Sequence, residues 1–182
     1  MHQRSASATA DPAYKAGAIA LILAVAAIVA ALGFQYIGGY APCPLCLMQR
    51  YAYYAGIPSL FVALVLVVSD RAGWAAVVLL IVALAFLTNA GLGIYHAGAE
   101  WKFWAGPDTC ASVSQPLGGG SGGLLQQLET TRVIRCDEAP WTFLGLSFAG
   151  WNVVTSFLIF IAALQAALAA AATNTQRRMS EI

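Results

Sequence analysis

Charge is what this chain has least of. Only 9% of its 182 residues are Asp, Glu, Lys or Arg, whereas a soluble domain holds about a quarter. Water is therefore not its only solvent. Net charge is missing too: at +1 the chain has neither a basic field nor an acidic tail, and nucleic-acid binding is set aside. Histidine is scarce. The residue directly after the second cysteine of the CxxC is Leu47, which removes a c-type haem. Zinc prefers four ligands in close pairs, but beyond Cys43 and Cys46 the other cysteines are widely spaced and His96 stands alone in sequence.

Long apolar runs fill the space left by charge. Residues 1 to 15 are polar and small and read as a disordered tail. Four spans are expected at about 16–34, 49–68, 74–95 and 149–172, each long enough for a hydrocarbon core of about 30 Å. The first is longer than the roughly 7–15 apolar residues of a cleaved signal peptide, so it reads as an anchor helix. Tyr51, Tyr53 and Tyr54 suit a water–lipid interface. Pro58 should kink the second span. Asn89, Asn152 and Gln165 read as interhelical hydrogen-bonding groups. The fold class is an all-α membrane protein, one integral membrane domain over residues 1–182, built as a four-transmembrane-helix bundle. Two extracytoplasmic loops, about 35–48 and 96–148, carry the cysteine pairs.

Four spans put both termini and the 69–73 turn on one side. Arg4, Lys15, Arg71, Arg177 and Arg178 lie there, against Arg50, Lys102, Arg132 and Arg135 opposite, a small bias towards cytoplasmic termini. All four cysteines then fall on the outer side, where disulfides persist.

The chain is organised around residues 42 to 50, PCPLCLMQR. Proline between the cysteines predicts a helix start, with Cys43 near the N-cap and Pro44 at the first helical position. Cys46 then lies in the first turn, where unpaired N–H groups and the helix dipole favour a thiolate. Arg50 falls one turn deeper on the same face. A static disulfide, half of a zinc site and a redox pair are the readings of such a CxxC, and redox fits best. Cys110 and Cys136 read either as a structural staple or as a second exchanging pair. The Gly/Ser run at 118–123 lets the loop between them move, and Leu124 to Leu128 reads as a short amphipathic turn or plain loop packing. Arg50 reads either as a snorkelling cation or as a partner for the Cys46 thiolate and an electronegative acceptor oxygen. His96 and Glu100, with Trp101, Phe103 and Trp104 after them, read as an interfacial belt or as a lodging for a flat ring.

Taken together, Cys43-Pro44-Leu45-Cys46 with Gln49-Arg50, Tyr95-His96-Ala97-Gly98 with Glu100-Trp101 and Trp104, Cys136-Asp137, Trp141 to Ser147 and Trp151-Asn152 resemble the DsbB family of bacterial disulfide-bond formation proteins. The resemblance covers about residues 16 to 170, and the Gly-rich run at 118–123 departs from it. It implies a multi-pass enzyme of the bacterial inner membrane that reoxidises a periplasmic DsbA-like thioredoxin-fold oxidase. The electrons pass to a quinone, ubiquinone or menaquinone. By the same resemblance Cys110 takes the mixed disulfide with DsbA from a Cys110–Cys136 disulfide, and Cys136 exchanges with Cys43. Cys46 is freed against the quinone ring with Arg50 stabilising its charge, and His96 and Glu100 shape the pocket or handle protons. The rival readings are a vitamin K epoxide reductase-like oxidase, an oxidase for one dedicated substrate, and a disulfide-stapled, non-enzymatic membrane scaffold. A transporter lacks an obvious ion relay.

Overall fold

The computed structural model describes residues 11–106 and 139–180. Cys110, Cys136, the 118–123 run, the 124–128 segment, Arg4, Arg132 and Arg135 lie outside the described residues. Four helices carry the fold: α1 (Pro12–Tyr36), α2 (Pro44–Val68), α3 (Ala72–Glu100) and α4 (Phe148–Ser180). Each is long and apolar enough to cross a membrane.

Each helix boundary has a local cause. Asp11 accepts a hydrogen bond from the Ala13 N–H at 2.8 Å, and Pro12 takes the first helical position, so α1 starts earlier than the expected tail allowed. At the end of α2 the N–H groups of Asp70 and Arg71 return to the carbonyls of Val67 and Leu66, with Asp70 in the left-handed region at φ 60°. The same closure ends α3, where Lys102 and Phe103 return to Ala99 and Gly98 and Lys102 has φ 63°. Helix α3 therefore runs one turn past the expected boundary, and His96 and Glu100 are helical. Pro58 does not interrupt α2.

The helices pack as sequential neighbours, α1 on α2, α2 on α3, α3 on α4 and α4 back on α1, with α2 and α4 nearly out of contact across the diagonal. The seam of α1 is Ala13, Gly17, Ala20, Ala24 and Ile28, spaced three and four residues apart. On α4, Ala162, Ala163, Ala166, Ala167 and Ala170 face it from inside the core. Such small residues let backbones approach, which is how helices associate where lipid is as apolar as leucine. The outer surface is apolar as well: Ile19, Ile22, Val29, Phe61, Ile81 and Leu84 are all more than half exposed. That surface belongs against hydrocarbon.

Gly56 shows how tight the seam between α2 and α3 is. A Cβ there would lie 2.6 Å from Cε2 of the fully buried Phe86, whose ring meets Tyr53 edge-on at 5.2 Å. Gly56→Ala should lower stability by about 1–3 kcal/mol, the usual cost of overpacking. Thermal unfolding in detergent should register the loss.

One polar knot crosses the core. Tyr53 was expected at the interface beside Tyr51 and Tyr54, yet only those two are exposed. The Tyr53 hydroxyl donates to Asn152 Oδ1 at 2.8 Å, and Asn89 donates to Ser156 at 2.9 Å. A phenol reaching amides inside an apolar bundle is stabilised by that pairing. Gln165, expected to join such contacts, is exposed on α4.

Outside the helices stands a two-stranded antiparallel hairpin, β1 (Thr142–Phe143) and β2 (Leu146–Ser147), which the all-α expectation did not include. Leu144 and Gly145 both have positive φ, 52° and 80°, as a two-residue type I′ turn requires. Trp141 stacks on Phe143 and Phe148, so the hairpin is folded onto the start of α4. At the opposite end, Arg177 donates to the Asp70 carboxylate at 2.6 Å and to its carbonyl at 2.9 Å. The 69–71 turn and the α4 C-terminus thus share one end of the bundle, and the CxxC and the hairpin share the other.

Candidate thiol–imidazole site

The site begins with the capping of α2. Cys43 is the N-cap in an extended conformation, and Pro44 is the first helical residue, as the Pro-rich start predicts. The Cys46 N–H donates to Cys43 Sγ at 3.3 Å, and the two sulfurs stand 3.0 Å apart as free thiols. The first-turn N–H thus goes to the sulfur before the helix. Its first-turn position predicts the activated sulfur at Cys46, whereas the cap geometry favours Cys43. Contact with the Cys46 thiol is the main cause that lowers the Cys43 pKa, to about 5. Burial opposes it, and His96 assists.

His96 is the residue that the fold adds. It was expected at an interfacial belt, and in sequence it stands far from the cysteines. In the structure it is 1% exposed, with Nε2 3.6 Å from Cys43 Sγ and 3.8 Å from Glu100 Oε1. Its Nδ1 lies 3.0 Å from Nε2 of Gln49, itself buried on α2. With that amide donating to Nδ1, the imidazole proton is on Nε2, between the thiol and the carboxylate.

Glu100 is enclosed on the last turn of α3 and accepts a hydrogen bond from the Ser147 hydroxyl. Ser147 immediately precedes α4, and its Oγ accepts from the Gly150 N–H at 3.2 Å, so one hydroxyl caps α4 and anchors the carboxylate. The Tyr95–Gly98 stretch finds its reason one turn away. Trp104 Nε1 donates to the Tyr95 carbonyl at 2.9 Å, and its ring passes where a Cβ on Gly98 would lie 2.0 Å away. Only glycine admits that indole across the helix end.

Arg50 stands apart from this cluster. Its guanidinium donates to Gln35 Oε1 and, at 3.5 Å, to the Ala31 carbonyl, both on α1. At that same end Ala30, Gly33, Phe34, Ile37 and Gly38 line a shallow, open apolar groove.

The structure therefore joins Cys43, Cys46, His96 and Glu100 in one site at the end of an apolar bundle. The family model described as Disulfide bond formation protein DsbB matches residues 15–166, a span that contains every one of these groups. The chain belongs to the DsbB family.

Its DsbB relatives include the Disulfide bond formation protein B of Acidovorax sp. (strain JS42), 33% identical over 155 residues, covering 77% of this chain and 80% of that one. The corresponding protein of Aromatoleum aromaticum is 31% identical over 167 residues, 80% of this chain and 89% of its own. That of Verminephrobacter eiseniae is 33% identical over 152 residues, 79% and 77%. No solved structure matches. A multi-pass membrane protein of the disulfide bond formation family is what the fold and the relatives together describe.

Three residues of this DsbB site were given no role of their own from sequence: Gln49 and Ser147, which stand within the motifs of the resemblance, and Gln35, at the start of the first loop. Only the packing of α3 and α1 against α2 reveals that one amide orients His96 and the other receives Arg50. For Ser147 the small polar residue before an apolar helical run was a usable N-cap signal.

Proposed function

We propose that this DsbB-family chain is a quinone-dependent thiol oxidase of the bacterial inner membrane, with cytoplasmic termini and periplasmic cysteine loops. It would reoxidise a DsbA-type dithiol protein. The carrying observation is the Cys43–Cys46 pair, capped at a helix N-terminus against a buried imidazole and carboxylate. Stabilising the Cys43 thiolate stabilises the reduced pair, and a disulfide whose reduced form is stabilised is the stronger oxidant. That direction is needed here. A DsbA-type partner is poised near about −120 mV, and ordinary structural disulfides lie below about −300 mV.

The chain's own residues divide the work. Cys110 and Cys136, the second pair, exchange with the donor dithiol, and Cys43 receives the exchange from Cys136. His96 holds a proton at Nε2 beside Cys43 Sγ, and Glu100 fixes that nitrogen from the other side. The open apolar groove at the end of α1 and the Arg50 guanidinium of α2, which bonds to that end, suit a flat ring bearing carbonyl oxygens. Bound there, ubiquinone or menaquinone supplies a two-electron, two-proton acceptor.

The test is turnover by the purified full chain in detergent, with reduced DsbA-type protein and a soluble ubiquinone analogue, followed by ultraviolet absorbance. Cys46→Ser and Cys110→Ser should each abolish quinone reduction, and Arg50→Ala should raise the apparent KM for the analogue. An unchanged KM would remove Arg50 from the binding site. A folded chain that shows no turnover and whose cysteines resist reduction is a stapled scaffold.

A further inference from the structure

The sequence argued against a metal because His96 lay far from the cysteines, and the fold removes that objection. We propose that the reduced Cys43–Cys46–His96 cluster binds a borderline-soft divalent cation, Zn²⁺ above all, and that the bound ion holds the dithiol reduced and out of turnover.

The ligand atoms of the three residues all lie within 4.8 Å of one another. Tetrahedral zinc, with Zn–S about 2.3 Å and Zn–N about 2.0 Å, sets S···N near ~3.5 Å and S···S near ~3.8 Å. Cys43 Sγ and His96 Nε2 are already 3.6 Å apart, and the sulfurs, at 3.0 Å, need only a small side-chain rotation to open. Glu100 Oε1, 3.8 Å from the same nitrogen, stands beside the three ligands.

The surroundings suit a ligating histidine. Its second nitrogen meets the Gln49 amide at 3.0 Å, and turning that amide presents a carbonyl oxygen to an Nδ1–H, the usual outer-shell partner of a metal-bound imidazole. The Cys46 N–H on Cys43 Sγ supports the first thiolate. Binding takes both sulfurs as thiolates, so any thiol proton still present leaves and the two thiolate charges cancel the ion's. No electrons move. The sulfurs stay reduced, and a disulfide between them excludes the ion.

The experiment uses the full chain in detergent, carrying Cys110→Ser and Cys136→Ser so that only one cysteine pair remains. Reduced, desalted and kept free of oxygen, it is titrated with Co²⁺. One equivalent should produce thiolate-to-cobalt charge-transfer absorption, and Zn²⁺ should displace it. The same sample, oxidised so that Cys43 and Cys46 are joined, should give no such absorption. His96→Ala should weaken binding by on the order of 10-fold or more. Absence of the absorption in the reduced sample, its persistence after oxidation, or an unchanged titration in His96→Ala would each overturn the proposal. The oxidised control is the same polypeptide, so a folding defect in the variant does not decide the outcome. No donor or quinone enters the titration, which keeps it separate from the oxidase reading.

Discussion

Cys46→Ala should raise the Cys43 pKa by two units or more. The thiol of Cys46, 3.0 Å away, is the largest influence holding that value near 5, while burial pushes the other way. Removing it leaves the Cys46 N–H and His96 to oppose desolvation, and the group moves back towards the ordinary thiol value of about 8.5. The sign is simple: a thiol is ionised above its pKa, so lowering the pKa extends the thiolate to more acid conditions. At pH 6 the thiolate fraction should fall from about nine-tenths to about a tenth or less. Thiolate ultraviolet absorbance against pH, in a chain with Cys110→Ser and Cys136→Ser, measures this without requiring access to a buried sulfur. Cys46→Ser keeps an O–H donor at the same place and should shift the midpoint less. Equal midpoints in the parent and Cys46→Ala would mean that the cap N–H and His96 alone hold the thiolate.

The consequence reaches the redox chemistry. A thiolate reacts and leaves more readily than a thiol, and which sulfur carries the charge decides which one takes part in exchange. The structure gives Cys43 the N–H, the neighbouring thiol and the imidazole. Cys46, a first-turn residue, donates its N–H and packs against the buried Cys43 and Leu45.

Much of the architecture was legible because it depends on local patterns. Apolar runs of membrane length announced four helices, and Pro44 after Cys43 announced where α2 begins. Asp11-Pro12 carried an equally local signal for α1, obscured by the polar tail around it. The last turn of α3 was harder to read. It is closed by Lys102 in a left-handed conformation, which lysine rarely adopts, and by Trp104 lying over Gly98. Neither is visible in hydropathy. The hairpin likewise depends on Leu144 at positive φ, where a turn signal from Gly145 alone was weak.

The site was legible in its parts but not in its assembly. Cys43, Cys46, His96, Glu100 and Arg50 were each singled out by type and spacing. Registry on one helix suggested that Arg50 serves Cys46, since residues four apart are neighbours. Tertiary packing gives Arg50 instead to Gln35 and Ala31 of α1, and brings His96 of α3 to Cys43. Contacts between residues 53 positions apart lie beyond what periodicity can show. They follow from which faces of α2 and α3 meet, and those faces are set by small residues such as Gly56 packed against Phe86.

The half-reaction of the CxxC pair alone decides whether these two sulfurs pass electrons to a quinone. A chain with Cys110→Ser and Cys136→Ser, fully reduced and free of oxygen, is mixed with one equivalent of a soluble ubiquinone analogue. Free thiols and quinone absorbance are counted together. Two thiols should disappear for each quinone converted to quinol, as Cys43 and Cys46 form a disulfide and release two electrons and two protons. Full retention of both thiols, beside unreacted quinone and an intact helical spectrum, would mean that this pair does not reduce quinone.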